Sequence, residues 1–137
     1  MSLEKHQAEA KRWLSQAQSD LRAARGSVTQ SAFEWAAFQA QQAGEKSIKA
    51  LWYHNGLDPW GHSLAELIQE FPLPNIRSQL TPFLDHAKHL DKLYIPTRYP
   101  NGLPALTPSE VFTKPEAEQA IEKAHQIIEH VAAQMKA

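Results

Sequence analysis

An all-α fold is what this 137-residue sequence predicts, and three observations carry the prediction. Apolar residues recur at steps of three and four along most of the chain, the spacing of one helix face. No stretch alternates apolar and polar residues with period two, so no strand is expected. All nine prolines lie at or after Pro59, which leaves the first part of the chain free for two long unbroken helices. The expected architecture is an up-and-down antiparallel bundle of about five helices, with residues 1–137 forming one domain.

The first helix is expected from Glu4 to Arg25. Ala10, Leu14, Ala17, Leu21 and Ala24 mark its apolar face, and Gly26 stands where a helix commonly stops. Lys11, Ser15, Gln18, Arg22 and Arg25 occupy the opposite, solvated face. A second helix begins near Gln30 to Ala32 and ends at Asn55–Gly56. Its residues fall into three stripes. Ala36, Ala40, Ala43, Ser47 and Ala50 form a ridge of small side chains that lets another helix approach closely. Phe33, Ala37, Gly44, Ile48 and Leu51 form a bulkier apolar stripe. Phe38, Gln42, Glu45, Lys49 and Trp52 form a third, polar in its middle. A helix apolar on most sides is a buried one, so the charge on that third flank requires a reason.

A short third helix should start at Ser63, since Ser63-Leu-Ala-Glu66 has capping-box spacing, and stop before Pro72 and Pro74. Thr81–Pro82 reads as the cap and first-turn proline of a fourth helix, with Phe83, Leu84, Ala87, Leu90 and Tyr94 on its apolar side. Residues 95–108 hold four prolines and a glycine, and are expected to be irregular. Thr113-Lys-Pro-Glu116 is another capping box. It opens a last helix whose stripe runs through Ala117, Ala120, Ile121, Ala124, Ile127, Ile128, Val131 and Met135.

Composition narrows the function. A formal net charge of -1 argues against a DNA-binding protein, which would carry an excess of Lys and Arg. With no cysteine there is no disulfide and no thiolate nucleophile or ligand, in keeping with a cytoplasmic protein. No apolar run approaches the ~20 residues needed to span a bilayer, so no membrane partner is expected. His86 and His89 share a helix spacing, but no HExxH pattern accompanies them, and no metal or other cofactor is expected. The five glycines are scattered, which excludes a phosphate-cradling loop, and no serine sits in a GxSxG context.

Two constellations remain. Glu45 and Lys49 have i,i+4 spacing beside Gln42 and Lys46, and form either a structural ion pair or part of a pocket. In Tyr94-Ile-Pro-Thr-Arg98-Tyr99-Pro100, an arginine is presented between tyrosines and prolines, suited either to local anchoring or to recognition of a phosphate or carboxylate.

Taken together, these residues resemble the HEPN domain family. The resemblance is carried by Arg12-Trp13-Leu14 with Ala17, Asp20, Leu21 and Ala24, and by Gln42-x-x-Glu45-Lys46-x-x-Lys49-Ala50-Leu51. It is carried further by His62-Ser63-Leu64-x-x-Leu67, and by Leu90-Asp91-x-x-Tyr94 with Arg98-Tyr99-Pro100. Within the family the chain looks most like the domain at the C-terminal end of sacsin and the stand-alone prokaryotic members. The resemblance implies a helical bundle that forms a homodimer and binds nucleotides, GTP or ATP, or other anions near the dimer interface. Lys46, Lys49 and Arg98, then Arg22 and Arg25, are the phosphate contacts expected, with Gln42, Glu45, Tyr94 and Tyr99 shaping the pocket. Many members are ribonucleases with an Arg-x(4–6)-His motif. Here no histidine follows Arg98 at that distance, so an acid–base group is missing and a non-catalytic module is expected. The alternative is a protein-interaction subunit, such as the partner of a minimal nucleotidyltransferase in a toxin–antitoxin pair or of a chaperone-type neighbour. Trp35, Trp52, Tyr53 and Trp60 exceed what one small core needs, and are expected at such an interface.

Overall fold

The computed structural model describes residues 1–136. Its helices in chain order are α1 (Leu3–Thr29), α2 (Phe33–His54), α3 (Leu64–Gln69), α4 (Pro74–Leu80), α5 (Leu84–Asp91), α6 (Pro108–Val111) and α7 (Lys114–Lys136). Single 3-10 turns occupy Thr81–Phe83 and Pro100–Gly102. The architecture is an all-α bundle with α2 at its centre, packed on α1 along one side and α7 along another, while α3 and α5 cover its end.

The stripes of α2 account for that position. Ala36, Ala40, Ala43, Ser47 and Ala50 are fully buried, so the backbones of the long helices come close together. Gly44 lets α3 and α5 in: a Cβ there would stand 2.8 Å from a Leu64 methyl and 3.2 Å from a Leu90 methyl. From α7, Ala117, Ala120, Ile121, Ala124, Ile127, Ile128 and Val131 are buried against this core. Burying such side chains contributes on the order of 25 cal/mol per Å2 of apolar surface removed from water. The reciprocal cap at Thr113 and Glu116 forms as expected, with Thr113 Oγ1 and its backbone N–H both donating to Glu116 Oε1.

Several boundaries differ from expectation. The first helix runs straight through Gly26 to Thr29. An interior glycine costs roughly 1 kcal/mol, but the last turn has tertiary partners. Val28 packs on the core, and Ser27 Oγ donates to Gln39 Oε1 at 2.7 Å. Ser31, at φ 60, makes the left-handed turn instead.

The expected fourth helix is broken. Pro74 opens α4, with Leu80 buried beneath it, and Thr81 is the C-cap of that helix rather than the N-cap of the next: its Oγ1 donates back to the Arg77 carbonyl. α5 then ends at Asp91, which leaves Tyr94 in the following turns. Residues 95–108 are irregular apart from one 3-10 turn, and Pro108, capped by Thr107 and Glu110, starts the short α6. No helix among the described residues is long and apolar enough to cross a membrane.

Candidate functional site

The polar flank of α2 is a network in which each charge has a partner. Gln41, Glu45 and Lys49 are all buried. Glu45 Oε1 accepts from Gln41 Nε2 at 3.1 Å, and Glu45 Oε2 accepts from Lys49 Nζ at 3.0 Å. His62 Nδ1 reaches the same Oε2 at 3.2 Å, and since a carboxylate oxygen only accepts, Nδ1 is the donor. Gln42 Nε2 donates to Gln41 Oε1, and the Lys49 ammonium lies 5.6 Å from the Trp13 ring centroid. A buried ion pair adds little net stability when intact and costs several kcal/mol when one partner is removed.

One turn away, Lys46 Nζ donates to Asp20 Oδ2 on α1 at 2.6 Å. The half-buried Lys46 lines, with Glu9, Arg12, Trp13 and Gln16, a cleft of about 320 Å3 between the two helices. Arg12 is itself paired with Glu9 at 2.9 Å.

Arg98 is held differently. The turn after α5 is fixed by Thr97, buried with its hydroxyl on the Leu93 carbonyl. Arg98 Nε and Nη2 both donate to the Tyr94 carbonyl, at 2.9 and 2.6 Å. Its guanidinium carbon lies 4.2 Å from the Phe38 ring centroid, 4.7 Å from Tyr94 and 5.2 Å from Tyr99. Tyr94 in turn stacks on His62, with centroids 5.1 Å apart and planes 16° from parallel. Among the described residues no carboxylate pairs with Arg98.

Between these groups lies a cleft of about 280 Å3 lined by His62, Ser63, Asp91 and Tyr94. Asp91 is fully committed there. It accepts from the Leu64 and Ala65 backbone N–H groups at 2.7 and 3.2 Å and from Ser63 Oγ at 2.6 Å. Ser63 still accepts from the Glu66 N–H, but a carboxylate from α5 supplies the second half of the cap.

The structure thus gathers Gln42, Glu45, Lys46 and Lys49 on one flank and Tyr94, Arg98 and Tyr99 beside it, joined through His62. Arg22 and Arg25 lie apart, exposed on α1. Arg25 lines a separate cleft of about 530 Å3 with Lys114, Glu118 and Glu122. Phe38, His62 and Asp20 are contributors that spacing could not assign a role, since their partners lie far along the chain. Trp52 and Tyr53 are not exposed as expected. The Trp52 indole donates to the Leu67 carbonyl and packs edge-on to Phe71, and Tyr53 lies between His6 and Trp13. Trp35, at 49% exposure, and Trp60, at 91%, do face solvent. His86 bonds Gln126, and no group of three metal-ligating side chains occurs among the described residues.

Residues 10–134 match the HEPN domain family, and the chain belongs to it. Among solved structures it is similar to the Thermus thermophilus protein TT1696, at 39% identity and a TM-score of 0.82, over 90% of this chain and 96% of that one. It is similar to an archaeal HEPN homologue at 32% identity and a TM-score of 0.76, over 92% and 97% of the two chains. A Thermotoga maritima HEPN domain protein shares 28% identity and a TM-score of 0.68, over 91% and 98%. No curated protein matches the chain.

Proposed function

We propose that this HEPN chain is a non-catalytic module that forms a homodimer and holds an anionic ligand of the nucleotide class, with Arg98 as its principal contact. The observation that carries the reading is the contrast among the cations. Lys46, Lys49 and Arg12 each have a carboxylate within 3.0 Å, whereas Arg98 has none. Arg98 instead presents a planar cation framed by Phe38, Tyr94 and Tyr99, the chemistry that pairs with phosphate and stacks on a flat ring. Lys46, a quarter exposed at the edge of its cleft, is the second candidate and would have to leave Asp20 to reach a ligand. The lack of a histidine at family spacing after Arg98 supports a binding rather than a cleaving role.

Calorimetry with GTP, ATP and a dinucleotide tests this. Binding in the micromolar to millimolar range is expected, and no heat at millimolar ligand with folded protein removes the proposal. A second reading, a subunit that docks on another protein such as a minimal nucleotidyltransferase, is favoured by the exposed Trp35 and Trp60. Sedimentation with and without the candidate partner separates the two.

A further inference from the structure

The rings around Arg98 do not stop at the three that frame it. Trp35 stands three residues before Phe38 on α2 and meets it edge-to-face, with centroids 6.2 Å apart and planes 77° from parallel. An unbroken series of contacts thus runs from the Trp35 indole through Phe38 to the guanidinium, 4.2 Å further on. Tyr99 follows at 5.2 Å from the same guanidinium. Phe38 and Tyr94 are half-buried and hold the cation in place, whereas Trp35 and Tyr99 are each 49% exposed. These two exposed rings differ in what they still offer. A face of Tyr99 is already taken by the Arg98 cation, but the contact that Trp35 makes to Phe38 covers at most one face of the indole. A large flat ring half in water, fixed beside a cation, is open to a second flat ring.

Arg98 keeps hydrogen-bonding capacity as well. Its Nε and Nη2 donate to the Tyr94 carbonyl, and Nη1 has no partner among the described residues. Nor is Nη1 sealed inside the protein, because the one buried side-chain polar atom without a partner among those residues is His130 Nε2. The outer edge of the guanidinium therefore faces solvent, with no carboxylate of the described residues paired to it. N–H groups so placed on a planar cation match the oxygens of a phosphate.

We infer that Trp35 seats the base of the nucleotide whose phosphate Arg98 holds, so that the site takes a ligand with a flat heterocycle in preference to a bare polyphosphate. A single sugar separates the base from the phosphate of a nucleotide, and a single phenyl ring separates the indole from the guanidinium. Every base has a π-face, so stacking on an aromatic side chain seats adenine and guanine alike. The inference rests on the reading of Arg98 as an anion contact, and adds the residue that makes the ligand a nucleotide.

The test is calorimetry with ATP and with tripolyphosphate, which has the phosphates and the greater charge but no base. Attraction by charge alone ranks tripolyphosphate first. A seated base ranks ATP first, by about tenfold. Trp35→Leu should bring ATP down to the level of tripolyphosphate and leave tripolyphosphate where it was, and Trp35→Phe should recover part of the loss. Trp35 is exposed on the first turn of α2, and circular dichroism checks that both variants keep the fold. Tripolyphosphate binding as tightly as ATP to wild type, or ATP binding unchanged in Trp35→Leu, overturns the base seat and leaves Arg98 as an anion contact. An equal loss of both ligands in Trp35→Leu also overturns it, since Trp35 would then act by holding Phe38 and Arg98 in place. Failure of both ligands to bind wild type overturns the Arg98 reading together with this one.

Discussion

Two cationic regions lie side by side in this protein and are built on opposite principles. Around Glu45 the charges are answered: the buried Gln41 and Lys49 and the exposed His62 all converge on one buried carboxylate. Around Arg98 the guanidinium is fixed by a backbone carbonyl and three aromatic rings, and no acid among the described residues neutralises it. The first arrangement spends its electrostatics on holding α2, the loop before α3 and the bundle in one register. The second leaves a net positive charge in a fixed place, available to something else. Sequence alone does not separate them, because Lys46, Lys49 and Arg98 are all simply basic residues within the stretches that carry the family resemblance.

Breaking the first region gives the largest expected effect. Glu45→Gln keeps the shape but strands the buried Lys49, and should cost about 3–5 kcal/mol in urea denaturation. A loss under about 1 kcal/mol would mean that Lys49 swings to water and that the network is a surface feature. Breaking the second region should do the reverse. Arg98→Ala is expected to weaken nucleotide binding at least tenfold, about 1.4 kcal/mol. Its stability should fall by only about 1 kcal/mol, the worth of a typical hydrogen-bonded contact. Arg98→Lys sharpens the point: it keeps the charge and loses the planar fork, so binding should be only partly rescued.

Lys46 stands between the two. Its pair with Asp20 is part-exposed, and Lys46→Met should change stability by less than about 1 kcal/mol. A loss of nucleotide affinity as large as that of Arg98→Ala would extend the ligand site onto α1.

A pH scan probes a third place, the α5–α7 seam, and is expected to be the mildest perturbation. His130 sits 5.0 Å from Phe83 with Nε2 buried and unpartnered, and burial holds its pKa below the usual 6.5. His89 is lowered as well, first by burial and then by Lys123, Lys92 and His86. The unfolded chain therefore binds more protons than the folded one below pH 6.5, and stability should fall as pH drops from 6.5 through the lowered values. Thermal unfolding between pH 7.5 and 5.5 measures this, and His130→Phe should flatten the slope. An unchanged slope in that variant would move the effect to His89.

Much of the fold was legible in the sequence because helical spacing is local. The three stripes of α2, the stripe of α7 and the Thr113–Glu116 cap all follow from residues three and four apart. The errors came where tertiary contacts outweighed a local signal. Gly26 did not stop α1 because Val28 and Ser27 had partners in the bundle. The Ser63 cap took its carboxylate from Asp91 rather than from Glu66. Tyr94 could be placed beside Arg98 from the sequence, but not on the His62 ring.

By itself, then, the sequence determined that the chain is a helical bundle of the HEPN family, which side of each long helix faces inward, and that the basic motif residues cluster on α2 and in the turn at Arg98. Only the tertiary structure decided which of those cations are already neutralised. Lys46 finds Asp20 on another helix, Lys49 and His62 meet at one buried carboxylate, and Arg98 meets Phe38 across the bundle end. Those partners lie on separate elements, and the strength of a charge depends on what folding brings within a few ångströms of it and on how much water it removes.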